Sequence, residues 1–309
     1  MQQHQVVIIG AGPAGISAAI WSTRLGLSTI VLEKNDKIGG QLVNIRNDLI
    51  DYPGFSATTG SKLQQEFQKH LQSTFAKVYL QRQVTRIDDK NQVVHTTAGS
   101  IAYQYLIVAT GARERRLQVP GAHLLASQPI SATRDRELFS GKHVVVVGGG
   151  DRACEGACLL ADAGAFVTLI HRSKQFRARH EFIQKITHHS HIAIRTQSTV
   201  QKIFGTMKID GVEVGNPDLS IRSEVIPADA VLVRIGTQPN SILLQGIVEM
   251  DHEGYCTVDF HGQSSIKSIF CIGDLQVHSN DSSIAVSVGQ GMLAAKRISM
   301  LIEEEKKRG

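Results

Sequence analysis

Short runs of apolar, β-branched residues followed by glycine turns and helical spacings recur along this chain. Residues 5–9 form the first run and predict a strand buried on both faces, as in parallel sheets. The run leads through a glycine turn at 10–15 into a helical spacing of apolar positions, which Gly26 is placed to end. Residues 28–32 predict the next strand. This order of elements is typical of a βαβ unit.

The same order returns near the middle of the chain. Residues 143–147 predict a strand, residues 148–153 form a second glycine turn, and the helical spacing after it runs to about residue 163. Residues 165–170 then predict another strand. Two copies of this pattern predict an α/β fold with two Rossmann-like dinucleotide-binding domains.

The remaining pattern fills in both predicted domains. Apolar residues at helical intervals predict an amphipathic helix over residues 59–75, and alternation predicts a β-meander over 77–97. Further buried strands are predicted at residues 105–109, 230–235 and 268–272, and a long helix at 283–304.

The first glycine turn has the chemistry of a dinucleotide site. Gly10 permits the tight turn, Gly12 lets the backbone approach a pyrophosphate, and Gly15 lets the helix pack closely on the strand. The free N–H groups at the start of the helix favour an anion. Glu33, 18 residues after Gly15, is placed to accept hydrogen bonds from a ribose hydroxyl.

The second glycine turn lacks a counterpart of Glu33, the acidic residue that follows the first turn. No carboxylate ends the strand at 165–170, and the chain continues with a basic run that contains His171, Arg172 and Arg177. A carboxylate there would repel a 2′-phosphate, whereas arginines bind one, so this half predicts NADP(H) rather than NAD(H). A basic turn that only faces solvent is the alternative.

Composition narrows the class of protein. The chain has 309 residues, and chains beyond roughly 250–300 residues tend to divide into domains. With 42% apolar and 20% charged residues it is expected to be a soluble globular protein. Four cysteines, no signal peptide and no apolar run of about 18 residues predict a cytoplasmic protein without a membrane partner. The net charge of +5 favours an acidic partner, but no basic cluster predicts nucleic-acid binding and no residues are spaced as a metal site.

Several motifs beyond the two glycine turns stand in a recognisable order. They are Gly-Gly-Gln-Leu at 39–42, Tyr-Pro-Gly-Phe at 52–55, Ala-Thr-Gly at 109–111, Gly-Thr-Gln-Pro-Asn at 236–240 and Gly-Asp at 273–274. With these motifs the chain resembles the low-molecular-weight thioredoxin reductases over essentially its whole length. The resemblance implies a homodimer and an FAD domain formed by residues 1–115 and 245–309. It implies that an NAD(P)H domain, residues 116–244, is inserted in the FAD domain.

The resemblance also implies which residues bind the two cofactors. For FAD they are Gly10, Gly12, Pro13, Ala14, Gly15, Glu33, Lys34, Gly40, Gln41, Leu42, Asp51, Val84, Ala109, Thr110, Gly111, Gly273, Asp274, Ser283 and Ile284. For NADP(H) they are Gly148, Gly150, Asp151, Arg152, Ala153, His171, Arg172, Arg177 and Gly236. Ser173 stands where the family carries a further arginine for the 2′-phosphate.

The chain departs from that family at the redox-active cysteine pair. Ser131 and Arg134 occupy the two cysteine positions. Disulfide exchange needs a thiolate nucleophile and a resolving thiol, which a hydroxyl and a guanidinium cannot replace. Cys154 and Cys158, four residues apart, are the alternative pair, but their helical spacing favours buried packing. No catalytic residue is therefore assigned.

A thioredoxin reductase-like protein without its dithiol fits electron transfer directly from the flavin. The chain is similar in this respect to the thioredoxin-reductase-type ferredoxin/flavodoxin–NADP⁺ reductases. We expect it to pass electrons from NADPH through FAD to a small acidic carrier such as ferredoxin or flavodoxin. One alternative is reduction of a low-molecular-weight disulfide or another specialised acceptor, including a form that ferredoxin reduces. Another is a non-enzymatic flavin or nucleotide sensor.

Overall fold

Strands and helices alternate in the computed structural model, which describes residues 3–45, 48–49, 52–55, 58–128, 130–216 and 221–308. The strands are β1 Gln3–Ile9, β2 Thr29–Leu32, β3 Asp48–Leu49, β4 Thr58–Thr59, β5 Lys77–Tyr79, β6 Val84–Asp88, β7 Val93–Thr96, β8 Gly99–Val108, β9 Ala112–Glu114, β10 His143–Gly148, β11 Phe166–Ile170, β12 Ile192–Arg195, β13 Thr199–Gly205, β14 Ile209–Asn216, β15 Ile221–Pro227, β16 Ala230–Arg234, β17 Thr237–Pro239 and β18 Ile269–Cys271. The α-helices are α1 Pro13–Arg24, α2 Gly60–Gln72, α3 Leu124–Ser127, α4 Ala132–Asp135, α5 Asp151–Asp162, α6 His180–His188 and α7 Ile284–Arg308. Short 3-10 helices are Gly40–Asn44, Arg136–Phe139, Ile242–Leu244 and Gly273–Leu275.

The chain divides into two compact units. Unit 1 is Met1–Arg113 with Gln238–Gly309, and unit 2 is Glu114–Thr237. The junctions lie two residues before the expected boundary at 115/116 and seven before the one at 244/245. Residues 238–244 belong to unit 1, where Asn240 forms hydrogen bonds with Thr110 and Leu244 packs in the apolar core. Among the described residues no helix is both long and apolar enough to span a bilayer.

A seven-stranded sheet forms the centre of unit 1. Its order is β5-β2-β1-β8-β7-β6, and β18 pairs with β8. The parallel strands β1 and β8 lie in the middle and are buried on both faces, as their continuous apolar runs predict. On one face α1 packs against α7 so closely that a Cβ atom on Gly291 would collide with the backbone of Ala14.

The predicted meander over residues 77–97 is wrong at its first strand. β5 pairs in parallel with β2, with Val78 opposite Val31, and only β6 and β7 form an antiparallel hairpin that continues to β8. Alternation of apolar and polar residues marks a half-buried strand, but it does not say which strand is its partner.

Unit 2 contains a parallel sheet of four strands in the order β12-β11-β10-β16. The helices α5 and α6 contribute to its apolar core. A separate antiparallel sheet, β13-β14-β15, covers residues that the sequence pattern did not assign to strands. β13 and β14 mix buried and exposed positions irregularly, and bulges interrupt the pairing of all three strands, so the alternation that marks a strand is broken.

Candidate functional site

A cavity of about 1130 Å³ opens in unit 1 beside the first glycine turn. Ligand pockets usually hold about 300–1,000 Å³, so this cavity has room for a large dinucleotide. Its lining includes most of the residues expected to bind FAD, which are Gly10, Gly12, Pro13, Ala14, Glu33, Lys34, Gly40, Gln41, Leu42, Val84, Ala109, Thr110, Gly111, Gly273, Asp274, Ser283 and Ile284. Of the other two, Gly15 lies behind the turn and Asp51 lies outside the described residues.

The first glycine turn needs glycine at two of its positions for different reasons. Gly10 has a φ of +102°, a conformation that side chains rarely adopt. A Cβ atom on Gly15 would collide with the carbonyl oxygen of Gly10, so the helix can approach the strand only because the side chain is absent. Both roles agree with what the sequence predicts for these glycines.

Glu33 holds the same turn from the end of β2. Its side chain is buried, with 5% exposed. One carboxylate oxygen accepts the backbone N–H of Ala11 at 2.8 Å, and the other accepts the backbone and side-chain N–H groups of Asn35 at 2.9 and 2.7 Å. Each oxygen can accept more than one hydrogen bond, so a ribose hydroxyl can still bind there.

Asp274 joins residues from distant parts of the chain in the lining of the cavity. Its carboxylate accepts from Nε2 of Gln41 at 2.8 Å and from Oγ of Ser282 at 2.5 Å. The neighbouring backbone N–H of Gly273 donates to Oε1 of Gln290 at 2.7 Å. The cavity therefore has a second set of polar groups besides Glu33.

Asn240 is a lining residue that the sequence analysis did not assign. Its side-chain Nδ2 donates to the carbonyl of Thr110 at 2.9 Å, and its carbonyl accepts from Oγ1 of Thr110 at 3.0 Å. Arg113 Nη1 donates to Oδ1 of Asn240 at 2.9 Å. The motif at 236–240 was visible in the sequence, but only the fold shows that its asparagine fixes the turn at 109–111.

The features of this cavity fit FAD. It combines a glycine turn at the start of α1, the buried carboxylate of Glu33 and the carboxylate of Asp274. Proline at the first position of α1 leaves the N–H groups of the following residues for an anion.

The second glycine turn lies between β10 and α5 in unit 2. Gly148 has a φ of +150°, and a Cβ atom there would collide with the carbonyl oxygen of Arg234 on the neighbouring strand. Gly150 caps the N-terminus of α5, and Ala153 is buried in its first turn. Gly236, the other glycine expected at this site, has a φ of +92° and accepts from the backbone N–H of Arg115 at 2.9 Å.

His171 lies beneath this turn rather than on its surface. The imidazole is 7% exposed, stacks on Phe176 and contacts Gly149, and its Nε2 lies 2.9 Å from the carbonyl oxygen of Gln175. Burial lowers the pKa of His171, and the nearby charge of Arg172 lowers it further. The ring therefore supports the loop that carries the basic run.

The two arginines expected at the 2′-phosphate are exposed. Within the described part of the chain, neither Arg172 nor Arg177 has a carboxylate partner. The backbone N–H of Arg177 donates to the carbonyl of Gly149 at 2.8 Å, which ties the basic loop to the glycine turn. Both guanidinium groups are thus available to an anionic ligand near that turn.

The two other polar residues expected at this site already have ionic partners. Asp151 accepts from the backbone N–H and from Nε of Arg179, both at 2.7 Å. Arg152 Nη2 donates to Oε1 of Glu114 at 2.9 Å. Asp151 therefore ties the start of α5 to Arg179, the residue before α6, and Arg152 can reach a ligand only by sharing or leaving Glu114.

Ser131 and Arg134, which the resemblance places at the positions of the cysteine pair, belong to a charged cluster. The backbone N–H of Ser131, which precedes α4, donates to Oδ2 of Asp135 at 2.8 Å. Arg134 donates to the same carboxylate through Nε at 2.5 Å and through Nη2 at 2.6 Å. These hydrogen bonds and the charge of Asp135 raise the pKa of Arg134, so the guanidinium stays charged. The cluster offers no group that can form a disulfide.

All four cysteines are free and buried. Cys154 and Cys158 lie on α5 within the apolar core of unit 2. Burial raises the pKa of Cys154 to about 12 and raises the pKa of Cys158 as well. Cys256 and Cys271 lie in the core of unit 1, where a hydrogen bond between the two thiols and burial raise the pKa of Cys271. None of the four has the exposed environment of a reactive thiol.

Comparisons with known proteins agree with the features of both units. The family described as pyridine nucleotide-disulphide oxidoreductase matches residues 4–295. A thioredoxin reductase of Treponema pallidum is 33% identical over 97% of both chains. A 34.2 kDa protein in the rubredoxin operon of Clostridium pasteurianum is 31% identical over 89% of this chain and 90% of its own. The crystal structure of Lactococcus lactis thioredoxin reductase matches 97% of this chain and 99% of its own, with a TM-score of 0.87 and 28% identity.

Proposed function

Because the chain belongs to the pyridine nucleotide-disulphide oxidoreductase family and is an FAD-dependent NAD(P)H oxidoreductase, we propose that its flavin passes electrons directly to a small carrier protein. The electrons come from NADPH, and no protein dithiol takes part. The acceptor class is an acidic one-electron carrier of the ferredoxin or flavodoxin type. The chain is an enzyme of this family, so the interpretation as a non-enzymatic sensor is not kept.

The observation that carries this proposal is the side-chain chemistry at 131–135. Ser131 and Arg134 stand where the resemblance expects the two redox-active cysteines, and Arg134 is bound to Asp135 through two nitrogens. The four cysteines that the chain does contain are buried. Electrons that reach the flavin therefore have no thiol relay to an outside disulfide.

The residues of the two units have separate tasks in this proposal. Bound FAD supplies a ring that accepts a hydride from nicotinamide and releases electrons one at a time. Glu33, Asp274 and the turn at 10–15 hold that cofactor, and the turn at 148–153 with Arg172 and Arg177 holds NADP(H). Hydride transfer needs close, oriented contact of the two rings, so binding and orientation are the main work of these residues.

Two observations support a protein acceptor. The chain carries a net charge of +5, which favours encounter with an acidic partner through electrostatic steering. One relative, 31% identical, is a protein in a rubredoxin operon. A small redox protein is therefore a reasonable class of partner for this chain as well.

Anaerobic mixing with NADPH tests the donor and then the acceptor. We expect NADPH to bleach the flavin and NADH to do so much more slowly, and we expect ferredoxin or flavodoxin to restore the oxidised spectrum. A flavin that NADPH leaves oxidised would overturn the donor assignment. A reduced flavin that both carriers leave unchanged would overturn the acceptor class.

Disulfide reduction is the second candidate, because relatives up to 33% identical are thioredoxin reductases. In that case the thiol must come from the substrate, from a partner or from Cys154 and Cys158 after local opening. Disulfide-dependent NADPH consumption that is lost in Cys154→Ala would favour it over the carrier proposal. The proposal also includes a cytoplasmic homodimer, and sedimentation of the FAD-loaded protein tests the dimer.

A further inference from the structure

A carboxylate and two guanidinium groups meet beside the glycine turn of unit 2. Glu114, the last residue of β9, accepts from Arg152 Nη2 at 2.9 Å through Oε1 and from Arg234 Nη1 at 3.3 Å through Oε2. Arg152 lies in the first turn of α5, and Arg234 is the last residue of β16. Three separate elements therefore bring these side chains together, and we call the group the Glu114 triad.

The triad borders the place where a parallel sheet binds a dinucleotide. Arg234 is the direct partner of Gly148 in the pairing of β16 with β10. The two strands approach so closely that a Cβ atom on Gly148 would collide with the carbonyl oxygen of Arg234. Arg152 lies two residues after Gly150, and Gly150 is the N-cap residue of α5. In sheets of this kind the pyrophosphate lies at the carboxyl ends of the strands, against the start of the helix.

One carboxylate does not balance the charge of this group. Two guanidinium groups and one carboxylate leave a net charge of +1. The side chain of Arg234 is only 20% exposed, and burial lowers its pKa more than the charge of Glu114 raises it. Arg152 is 62% exposed, so it can turn toward a ligand without breaking the core. The net positive charge of the group therefore favours the approach of a further anion.

We propose that Arg152 and Arg234 bind the pyrophosphate of NADP(H), and that Glu114 occupies both guanidinium groups until the nucleotide displaces it. The proposal rests on the proposed function, because it assumes that unit 2 binds NADP(H). Guanidinium groups pair with phosphate oxygens as readily as with carboxylates, so the two anions compete for the same donors. Glu114 thus weakens nucleotide binding in the free protein, and it gives the arginines a partner when the nucleotide leaves.

Calorimetric titration of the FAD-loaded protein with two ligands tests this competition. NADP⁺ contains the pyrophosphate, whereas adenosine 2′-monophosphate keeps the 2′-phosphate but has neither phosphate of that linkage. Glu114→Gln should bind NADP⁺ about tenfold more tightly than the parent protein, and Arg234→Gln about tenfold less tightly, which is the size of one charge-assisted hydrogen bond. Affinity for adenosine 2′-monophosphate should change less than about threefold in both variants.

Glu224→Gln is the matched control for the loss of a carboxylate in unit 2. It removes an ion pair of Glu224 with Arg195 at 3.4 Å, and its side chain is 55% exposed against 51% for Glu114. We expect this control to leave NADP⁺ affinity within about twofold, because the pair is exposed and lies on other strands.

The possible results separate this inference from the proposed function. Parent protein that fails to bind NADP⁺ would overturn the proposed function itself. Parent protein that binds NADP⁺ while Glu114→Gln binds it equally or more weakly would overturn only the displacement of Glu114. If Arg234→Gln does not fold, Arg152→Gln takes its place, and an unchanged NADP⁺ affinity in that variant would overturn the role of the arginines.

Discussion

The side-chain amide of Gln41 donates a 2.8 Å hydrogen bond to the carboxylate of Asp274, although the two residues are 233 positions apart in the chain. Both residues line the cavity of unit 1. The bond therefore connects two cavity-lining segments that are far apart in the sequence. Asp274 is the charged acceptor of this hydrogen bond, so replacing its carboxylate with a neutral group should weaken the contact.

Replacing Asp274 with alanine should lower FAD affinity by about tenfold to a hundredfold, since hydrogen bonds to charged groups contribute about 1.5–3 kcal/mol. Fluorescence titration of the apoprotein with FAD measures this change. Asp281→Ala, an exposed aspartate in the same loop, is the control and should bind FAD like the parent protein. Equal affinities for the Asp274 variant and the control would contradict the role of Asp274.

Glu33→Gln should weaken FAD binding and lower the melting temperature together. Glu33 is buried and accepts three hydrogen bonds, one of them from Ala11 in the glycine turn. The amide that replaces it presents a donor to one of these N–H groups, and an unpaired buried polar group costs about 1–3 kcal/mol. Thermal melting with and without FAD measures both effects. Glu66→Gln, which removes an exposed pair with Lys69, should change neither.

The double variant Arg172→Ala, Arg177→Ala should bind NADPH at least tenfold more weakly and NADH nearly unchanged, since only NADPH has the 2′-phosphate. Ser173→Arg should have the opposite effect and tighten NADPH binding. Steady-state KM values with both nucleotides measure the difference. Lys208→Ala, in a hairpin turn of unit 2, is the charge control. A similar loss for both nucleotides would mean that the arginines do not read the 2′-phosphate.

Removing the thiols of α5 should not slow electron transfer to a carrier protein. The pKa of Cys154 is raised to about 12 by burial, so this thiol stays protonated at neutral pH. We expect the Cys154→Ala, Cys158→Ala variant to keep the NADPH-dependent reduction rate within about twofold, because neither thiol takes part. A rate that collapses while FAD content is unchanged would point to a dithiol route.

Stability of unit 2 should depend on pH through His171. Burial holds its pKa below the ordinary value of 6.5 in the folded protein. The unfolded chain therefore takes up this proton first as the pH falls, so stability is full above pH 6.5, declines below it and levels off under the folded pKa. Burial also lowers the pKa of His4 in unit 1, so His4 contributes to the stability of the protein in the same direction. The difference between the parent protein and His171→Gln in melting curves across this range isolates His171. The exposed His70→Gln should follow the parent protein, and parallel curves for all three would contradict the prediction.

Much of the fold could be predicted because its signals are local. Apolar runs, glycines and helical spacing indicate the strand at 5–9, the turn at 10–15 and the helix that follows. A side chain on Gly15 would collide with the backbone of Gly10, so the turn requires a glycine there, and a required glycine can be recognised in the sequence. The partner of β5 could not be predicted, because pairing depends on which strands the rest of the chain places side by side.

The site was harder to predict where side chains meet from distant segments. Arg113 and Asn240 are 127 positions apart, and neither position alone indicates their hydrogen bond. Glu114 and Arg234 resemble ordinary surface charges in the sequence, and only the sheet brings them to the glycine turn. Arg172 and Arg177 could be predicted as candidates for binding the 2′-phosphate, because they follow their strand within a few residues.

Because unit 2 is inserted in unit 1, the two units are completed at different times during translation. Unit 2 is continuous in sequence, so it can fold as soon as residues 114–237 have emerged. The flavin unit still lacks β18, which completes its sheet against β8, and α7, which covers α1. Stable FAD uptake must therefore wait until the last seventy or so residues have been translated, as the bounds of unit 1 require. The nascent chain carries a nucleotide-binding domain before it can carry its flavin.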